Sequence, residues 1–331
     1  MFEEKSLKLR CTSVLAPCMI EFVEQKRALG NKYNACVEVF NVFDCFCNEH
    51  GLTSPAVSQE LLSLWEEKRP HENEMTQQIR ISYVRGLCRY MHSIGYDAPN
   101  TFHPAPKGSK EFVPYIFTKE ELSRLFSAVD ETPECTVSPL RHLVMPVLFR
   151  LIYTCGLRVT EALRLTVSDV DLDQGVLTVY AAKGDKDRMV GISDSMLAYM
   201  RAYRAHPSVK QSDSKYFFPS PDGGYYDSST IYAYFREYLF KAGIPHRGRG
   251  KGPRVHDLRH SFAVHVLNKW SSEGKDLYTC LPILCTFLGH CGIKATEKYL
   301  QLVPDAYGEL TNPFNDRFQK ITGALNDEED I

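Results

Sequence analysis

Apolar residues recur at intervals of three and four through most of the first hundred positions: MIEFVEQKRAL (19–29), VEVFNVFDCFC (37–47), LLSLWEEK (61–68) and IRISYVRGLCRYMHSI (79–94). That spacing puts one apolar stripe on each of four amphipathic helices and predicts a helical unit closed on one core. Periodicity then lapses in GYDAPNTFHPAPKGSK (95–110), which carries three prolines and two glycines. These residues interrupt helix and strand alike, so the stretch reads as a linker. A helical domain over 1–105 and a second domain over 106–331 are therefore expected.

Thr118, with Glu121 three residues on, forms a capping-box pattern opening the helix TKEELSRLFSAVDE. LRHLVMPVLFRLIYTCG (140–156) reads as a buried helix stopped by Gly156, and Arg158 opens the next helical segment with Glu161 one turn later. LTVYAA (177–182) and DRMVGI (187–192) are β-type runs separated by KGDK, which places Lys183 at or near a hairpin turn. KATEKYLQLV (294–303) predicts a short helix bearing Tyr299 and ended by Pro304. The predicted fold class is mostly α with a small antiparallel β-sheet (α+β).

At 331 residues, 44% apolar and 24% charged, the chain has the composition of an ordinary folded protein of two domains. A formal charge of −2 does not advertise a nucleic-acid partner. Regional charge does, because HRGRGKGPRVHDLRH (246–260) gathers Arg247, Arg249, Lys251, Arg254 and Arg259 against one acid, Asp257, while DEED (327–330) is entirely acidic. A basic strip can thus sit inside a near-neutral total, and Arg247, Arg249 and Lys251 are candidate nucleic-acid contacts. GRGKG (248–252) lacks the order of a phosphate-binding P-loop and reads as a flexible loop. The 11 cysteines are dispersed among apolar residues without a CxxC, which predicts reduced thiols packed as small hydrophobes, Cys155 and Cys291 among them. With no basic-then-apolar leader and no apolar run of membrane-spanning length, a cytoplasmic protein without a membrane partner is expected.

Six residues of the second domain, Arg158, Lys183, His256, Arg259, His290 and Tyr299, have the types needed to break a phosphodiester with a protein nucleophile. Guanidiniums hold the anion, an ammonium donates a proton, imidazoles assist and a phenol attacks, without a metal or other cofactor. His256 and Arg259, three apart on a predicted helix, can address one phosphate, with Arg158 reaching it from another helix. An unperturbed phenol, with a pKa near ~10, needs a base, and His256 is the candidate.

The stretches GLRVTEAL (156–163), AKGDKDRMVGI (182–192), VHDLRHSFA (255–263) and LGHCGIKATEKYL (288–300), in that order, resemble the motifs of the tyrosine recombinase, or phage integrase, family. The resemblance covers roughly 150–303, while 1–105 matches the family's amino-terminal core-binding domain in length and helical pattern alone. It implies a site-specific recombinase that cleaves and rejoins double-stranded DNA through a 3′-phosphotyrosyl bond. Tyr299 is then the nucleophile, Lys183 the acid for the 5′-oxygen and His290 a phosphate ligand. The resemblance further implies a homotetramer on two DNA sites, with accessory DNA-bending or recombination proteins as possible partners.

Three alternatives compete. HDLRH places His256 and His260 at the i, i+4 spacing of zinc proteases, but Asp257 stands where Glu would be the base and His265 is no clean third ligand. A DNA-binding accessory protein without catalysis would not need all six residues. A type IB topoisomerase shares the chemistry in kind but is disfavoured by the small helical first domain and the LGH motif. The segment after Pro304 carries apolar Tyr307, Leu310, Phe314 and Phe318, which suit a head-to-tail contact with a neighbouring protomer. Deleting 305–331 should therefore impair coordinated strand exchange more than duplex binding or cleavage. A soluble truncation that exchanges strands like the full chain would rule that contact out.

Overall fold

The computed structural model of the chain describes residues 7–31, 33–104, 113–180, 187–246, 248 and 252–303. The chain divides into two compact units, Met1–Phe112 and Val113–Ile331.

The first unit contains α1 (Ala16–Ala28), α2 (Asn34–Glu49), α3 (Gln59–Glu66) and α4 (Glu74–Ser93). The apolar stripes meet in a core that includes Phe22, Phe40, Phe43, Trp65, Leu87 and Met91. Ser58 and Asn73 cap α3 and α4 by accepting from the amides of Leu61 and Thr76. Buried Asp44 fixes the entering chain by accepting from the amides of Thr12 and Ser13 at 2.7 and 2.9 Å. Two buried arginines are matched by carboxylates, Arg80 by Glu72 at 2.9 Å and Arg85 by Glu66 at 2.6 Å.

The second unit begins with α5 (Lys119–Asp130), and Thr118 and Glu121 form the reciprocal cap anticipated from the sequence. α6 (Arg141–Thr154) is apolar along Val144–Phe149 and again at Leu151 and Ile152, and it packs against α5 and later helices. α7 (Val159–Arg164) leads through a short 3-10 turn to β1 (Val170–Asp171), β2 (Val176–Val179) and β3 (Arg188–Gly191). The three strands are antiparallel in the order β1-β2-β3. Leu177 faces Val190, and Val179 faces Arg188. Pleat alternation turns Leu177, Val179, Arg188 and Val190 inward, so β3 sends one guanidinium into the interior. There follow α8 (Asp194–Ala205), α9 (Pro207–Lys210), α10 (Ser228–Lys241), α11 (Val255–Ser272), α12 (Leu277–Leu288) and α13 (Lys294–Glu297). Among the described residues, no helix is long and apolar enough to cross a membrane.

Two sequence expectations change here. The segment carrying Tyr299 is not one helix: α13 stops at Glu297 and a 3-10 turn runs over Leu300–Leu302, with Tyr299 at the junction. Of the cysteines, Cys18, Cys36, Cys47, Cys88 and Cys155 are buried, but Cys45 and Cys291 are exposed, so Cys291 is not a packing residue.

Gly156 closes α6 with φ +58°, and a Cβ there would lie 2.6 Å from Phe262 Cδ1 and 2.8 Å from Leu288 Cδ2. Left-handed backbone and close packing coincide, so Gly156→Ala should cost about 1–3 kcal/mol. Thermal unfolding should show a midpoint lower by several degrees. An unchanged midpoint would contradict the tight fit.

Candidate active site

The short helix α7 supplies the organising group. Glu161, at its third position, accepts from the Arg158 amide at 2.8 Å and from Arg158 Nη1 at 2.8 Å. β3 brings Arg188, whose Nη1 and Nη2 donate to the two carboxylate oxygens at 3.1 and 2.8 Å. α11 brings Arg259, whose Nη1 stands 3.9 Å from Glu161 Oε2. Burial alone would raise the Glu161 pKa, but hydrogen bonding and charge from Arg188, with further help from Arg158 and Arg259, hold it below the usual carboxylate value. Burial pulls the Arg259 guanidinium down to about 10, against the opposing pull of Glu161, and leaves it charged at neutral pH. Three guanidiniums face one carboxylate, so positive charge is in excess among these four side chains.

The same arginines close the end of α12. A helix terminus leaves carbonyls without intrahelical donors and carries partial negative charge, so cations are favoured there. Arg188 Nε donates to Phe287 O at 3.0 Å, Arg259 Nη2 to Leu288 O at 2.7 Å and Arg158 Nη2 to Gly289 O at 3.2 Å. Arg259 Nη1 also donates to Gly156 O at 2.7 Å, tying the end of α6 to the same cluster. Gly289 is required at this point: its φ is +67°, and a Cβ would sit 2.7 Å from Arg188 Nη1. The LGH motif is thus the lid of the arginine cluster as well as the bearer of His290.

Tyr299 is only 5% exposed, and its hydroxyl lies 2.7 Å from His260 Nδ1. Burial raises the phenol pKa, and the charges of Arg259 and Arg158 draw it partly back. His256 packs edge-on against His260, with ring centroids 4.6 Å apart at 88°. The His290 ring lies 6.3 Å from that of Tyr299, and His290 Nδ1 is 2.7 Å from the hydroxyl of fully buried Thr296. Burial and neighbouring cationic groups push His256 down to about 3 and His290 down to about 4. For His260, burial and nearby arginines outweigh the opposing charge of Asp257 and push the pKa down to about 4. All three imidazoles are neutral at pH 7.

Arg158, His256, Arg259, His290 and Tyr299 therefore converge on one region, drawn from α7, α11, the end of α12 and the α13 junction. Lys183, and the basic-loop residues Arg247, Arg249 and Lys251, lie outside the described residues. Arg259 is buried, its side chain 1% exposed and both terminal nitrogens donating to main-chain carbonyls, while Arg158 is 32% exposed. Sequence reasoning missed Arg188 as a member of the cluster, and missed the contact of His260 with the phenol. An inward Arg within the apolar alternation of β3, and a second histidine one turn after His256, were the available signals. The zinc arrangement is not formed. Asp257 caps α11 through the Arg254 amide at 2.7 Å, and His265 Nδ1 is 2.9 Å from the Tyr153 hydroxyl.

A mostly helical unit with a small antiparallel sheet thus gathers arginines, histidines and a buried tyrosine around one carboxylate, an arrangement suited to an anion. The chain belongs to the phage integrase family, whose signature matches residues 116–304. A putative integrase/recombinase, y4rB of Sinorhizobium fredii (strain NBRC 101917 / NGR234), is 32% identical over 309 residues, covering 90% of this chain and 97% of that protein. Among solved structures, the XerH site-specific recombinase in a post-cleavage complex with palindromic difH substrate superposes with TM-score 0.61 at 18% identity, over 86% of this chain and 79% of that one. A lambda integrase tetramer bound to a Holliday junction gives 0.56 at 16% identity, over 85% and 78%. At these identities the structural likeness is one of fold.

Glu161→Gln keeps the shape of the hub and removes its charge. Leaving buried guanidiniums without their counter-ion should lower unfolding stability by about 3 kcal/mol near neutral pH in urea titrations. The folded-state pKa of Glu161 is depressed, so its contribution is present above the unfolded value and is lost as pH falls through the folded one. The gap between wild type and Glu161→Gln should therefore close in acid. A gap that widens on acidification, or is absent at neutral pH, would contradict the hub.

Proposed function

We propose that the protein is a site-specific DNA recombinase that cleaves and rejoins duplex DNA through a 3′-phosphotyrosyl intermediate, with Tyr299 as nucleophile. The observation that carries this reading is the juxtaposition of the Tyr299 hydroxyl, a neutral histidine 2.7 Å away and the charged Arg259 and Arg158. Family membership supports the same class of activity.

In this reading Arg158 and Arg259, anchored by Glu161 and the α12 carbonyls, bind nonbridging oxygens of the scissile phosphate, and His256 and His290 add neutral hydrogen bonds. With His290 Nδ1 against Thr296, the other ring nitrogen is the one that addresses the phosphate. The phenol oxygen bonds to phosphorus as the P–O5′ bond breaks, and Lys183 protonates the leaving 5′-oxygen. Negative charge growing on the phosphate meets positive groups already fixed in place, each typically worth roughly 3–4 kcal/mol of barrier. Because the phosphotyrosyl bond retains the energy of the one broken, reversal of the step rejoins DNA without ATP. The arginines and Lys183 supply the charge that a metal supplies elsewhere, so no cofactor enters the scheme.

The partner is double-stranded DNA, with Arg247, Arg249 and Lys251 contributing phosphate contacts. Four protomers on two sites suit strand exchange, as in the lambda integrase tetramer on a Holliday junction. Accessory DNA-bending proteins and a cytoplasmic setting complete the reading.

Denaturing gels of protein incubated with a randomised pool of nicked duplexes test the scheme. Wild type should form a covalent protein–DNA band that persists in excess EDTA, while Tyr299→Phe should bind DNA and form none. A band surviving Tyr299→Phe, or one abolished by EDTA and restored by zinc or magnesium, would rule the mechanism out.

A further inference from the structure

The phenol must lose a proton as it attacks, and the HxxR histidine, His256, is the group that sequence order alone would choose. The geometry chooses differently. His260 Nδ1 is 2.7 Å from the Tyr299 hydroxyl, whereas the His256 ring packs at 88° against the His260 ring and His290 Nδ1 is 2.7 Å from the Thr296 hydroxyl. His260 is also part-buried on α11, so the ring approaches the phenol as part of a packed helix face.

We propose that His260 is the general base of the cleavage step and the proton donor of the rejoining step. This rests on the phosphotyrosyl reading above. With its proton on Nε2, neutral His260 accepts the phenolic hydrogen at Nδ1 as the phenol oxygen bonds to phosphorus. The P–O5′ bond breaks, and the 5′-oxygen takes a separate proton from Lys183. Rejoining runs each transfer in reverse, the imidazolium returning its proton to the phenol oxygen as that oxygen departs. The groups facing His260 are Arg254, His256, Asp257 and Arg259 of its own helix segment, Tyr299 from the α13 junction and His290 beyond α12. Burial chiefly, with Arg254 and Arg259, opposes its protonation and Asp257 favours it, and the balance keeps the ring a neutral acceptor through the physiological range. A base at hydrogen-bond distance typically contributes about 10²–10⁴-fold in rate.

The test uses the full chain and a nicked duplex that wild type has captured covalently from a randomised pool, with the rate of adduct formation followed from pH 5.5 to 9. His260→Gln retains a hydrogen-bonding partner for the phenol but cannot accept its proton. It should slow adduct formation at pH 7 by about 100-fold. It should also convert a flat wild-type profile into one rising with pH, as unassisted phenolate becomes the nucleophile. His256→Ala should lose rate while keeping the flat profile. A fluorinated tyrosine of lower pKa, placed at 299 by amber suppression, should recover at least tenfold in the His260→Gln background and little in wild type. An adduct rate in His260→Gln close to wild type overturns the assignment. So does a slow variant whose pH profile stays flat and which the fluorotyrosine does not rescue, since that marks a structural role. Wild type capturing no DNA, or Tyr299→Phe capturing it, would overturn instead the phosphotyrosyl reading on which the assignment rests.

Discussion

One carboxylate, Glu161, holds the arginine cluster together. Arginine side chains repel one another, and gathering three of them in a low-dielectric interior is unfavourable unless a fixed anion and oriented carbonyls compensate. Glu161 provides the anion, and the ends of α6 and α12 provide the carbonyls. Four elements distant in sequence, α7, β3, α11 and α12, are thereby tied at one point. The arginine side chains are placed by contacts that also join these elements of the fold.

The arrangement also sets the electrostatics of its neighbours. Burial first, and nearby positive charge second, keep His256, His260 and His290 from protonating, and the excess of guanidiniums over carboxylate in the cluster suits an anion. Neutral imidazoles can accept protons and donate hydrogen bonds without adding charge. The same field partly offsets the burial that would otherwise make the Tyr299 phenol a poorer acid. Burial and the arginine charges therefore act together on the imidazoles and in opposition on the phenol.

Much of this was legible in the chain. The period of the apolar residues located the helices of the first unit, the Thr118 and Glu121 pair located the start of α5, and motif order singled out Arg158, His256, Arg259, His290 and Tyr299. The pairing of Arg158 with Glu161 followed from their i, i+3 spacing. What local pattern could not supply was long-range. Arg188 reaches Glu161 only because β3 pairs with β2 in the register that sets Arg188 opposite Val179. Nor does helical spacing identify which of His256 and His260 meets the phenol, because that depends on the path of the chain after α12. The break between α13 and the 3-10 turn, which places Tyr299 at a junction and turns it toward α11, is tertiary in origin as well.

The central claim is that phosphoryl chemistry at this arginine cluster passes through Tyr299. Mass spectrometry of the covalent protein–DNA product, digested with protease and nuclease, measures it most directly. The account predicts a nucleotide joined through its 3′-phosphate to the peptide containing Tyr299, with the released strand bearing a free 5′-hydroxyl. A nucleotide attached to any other residue, or a linkage through a 5′-phosphate, would contradict it.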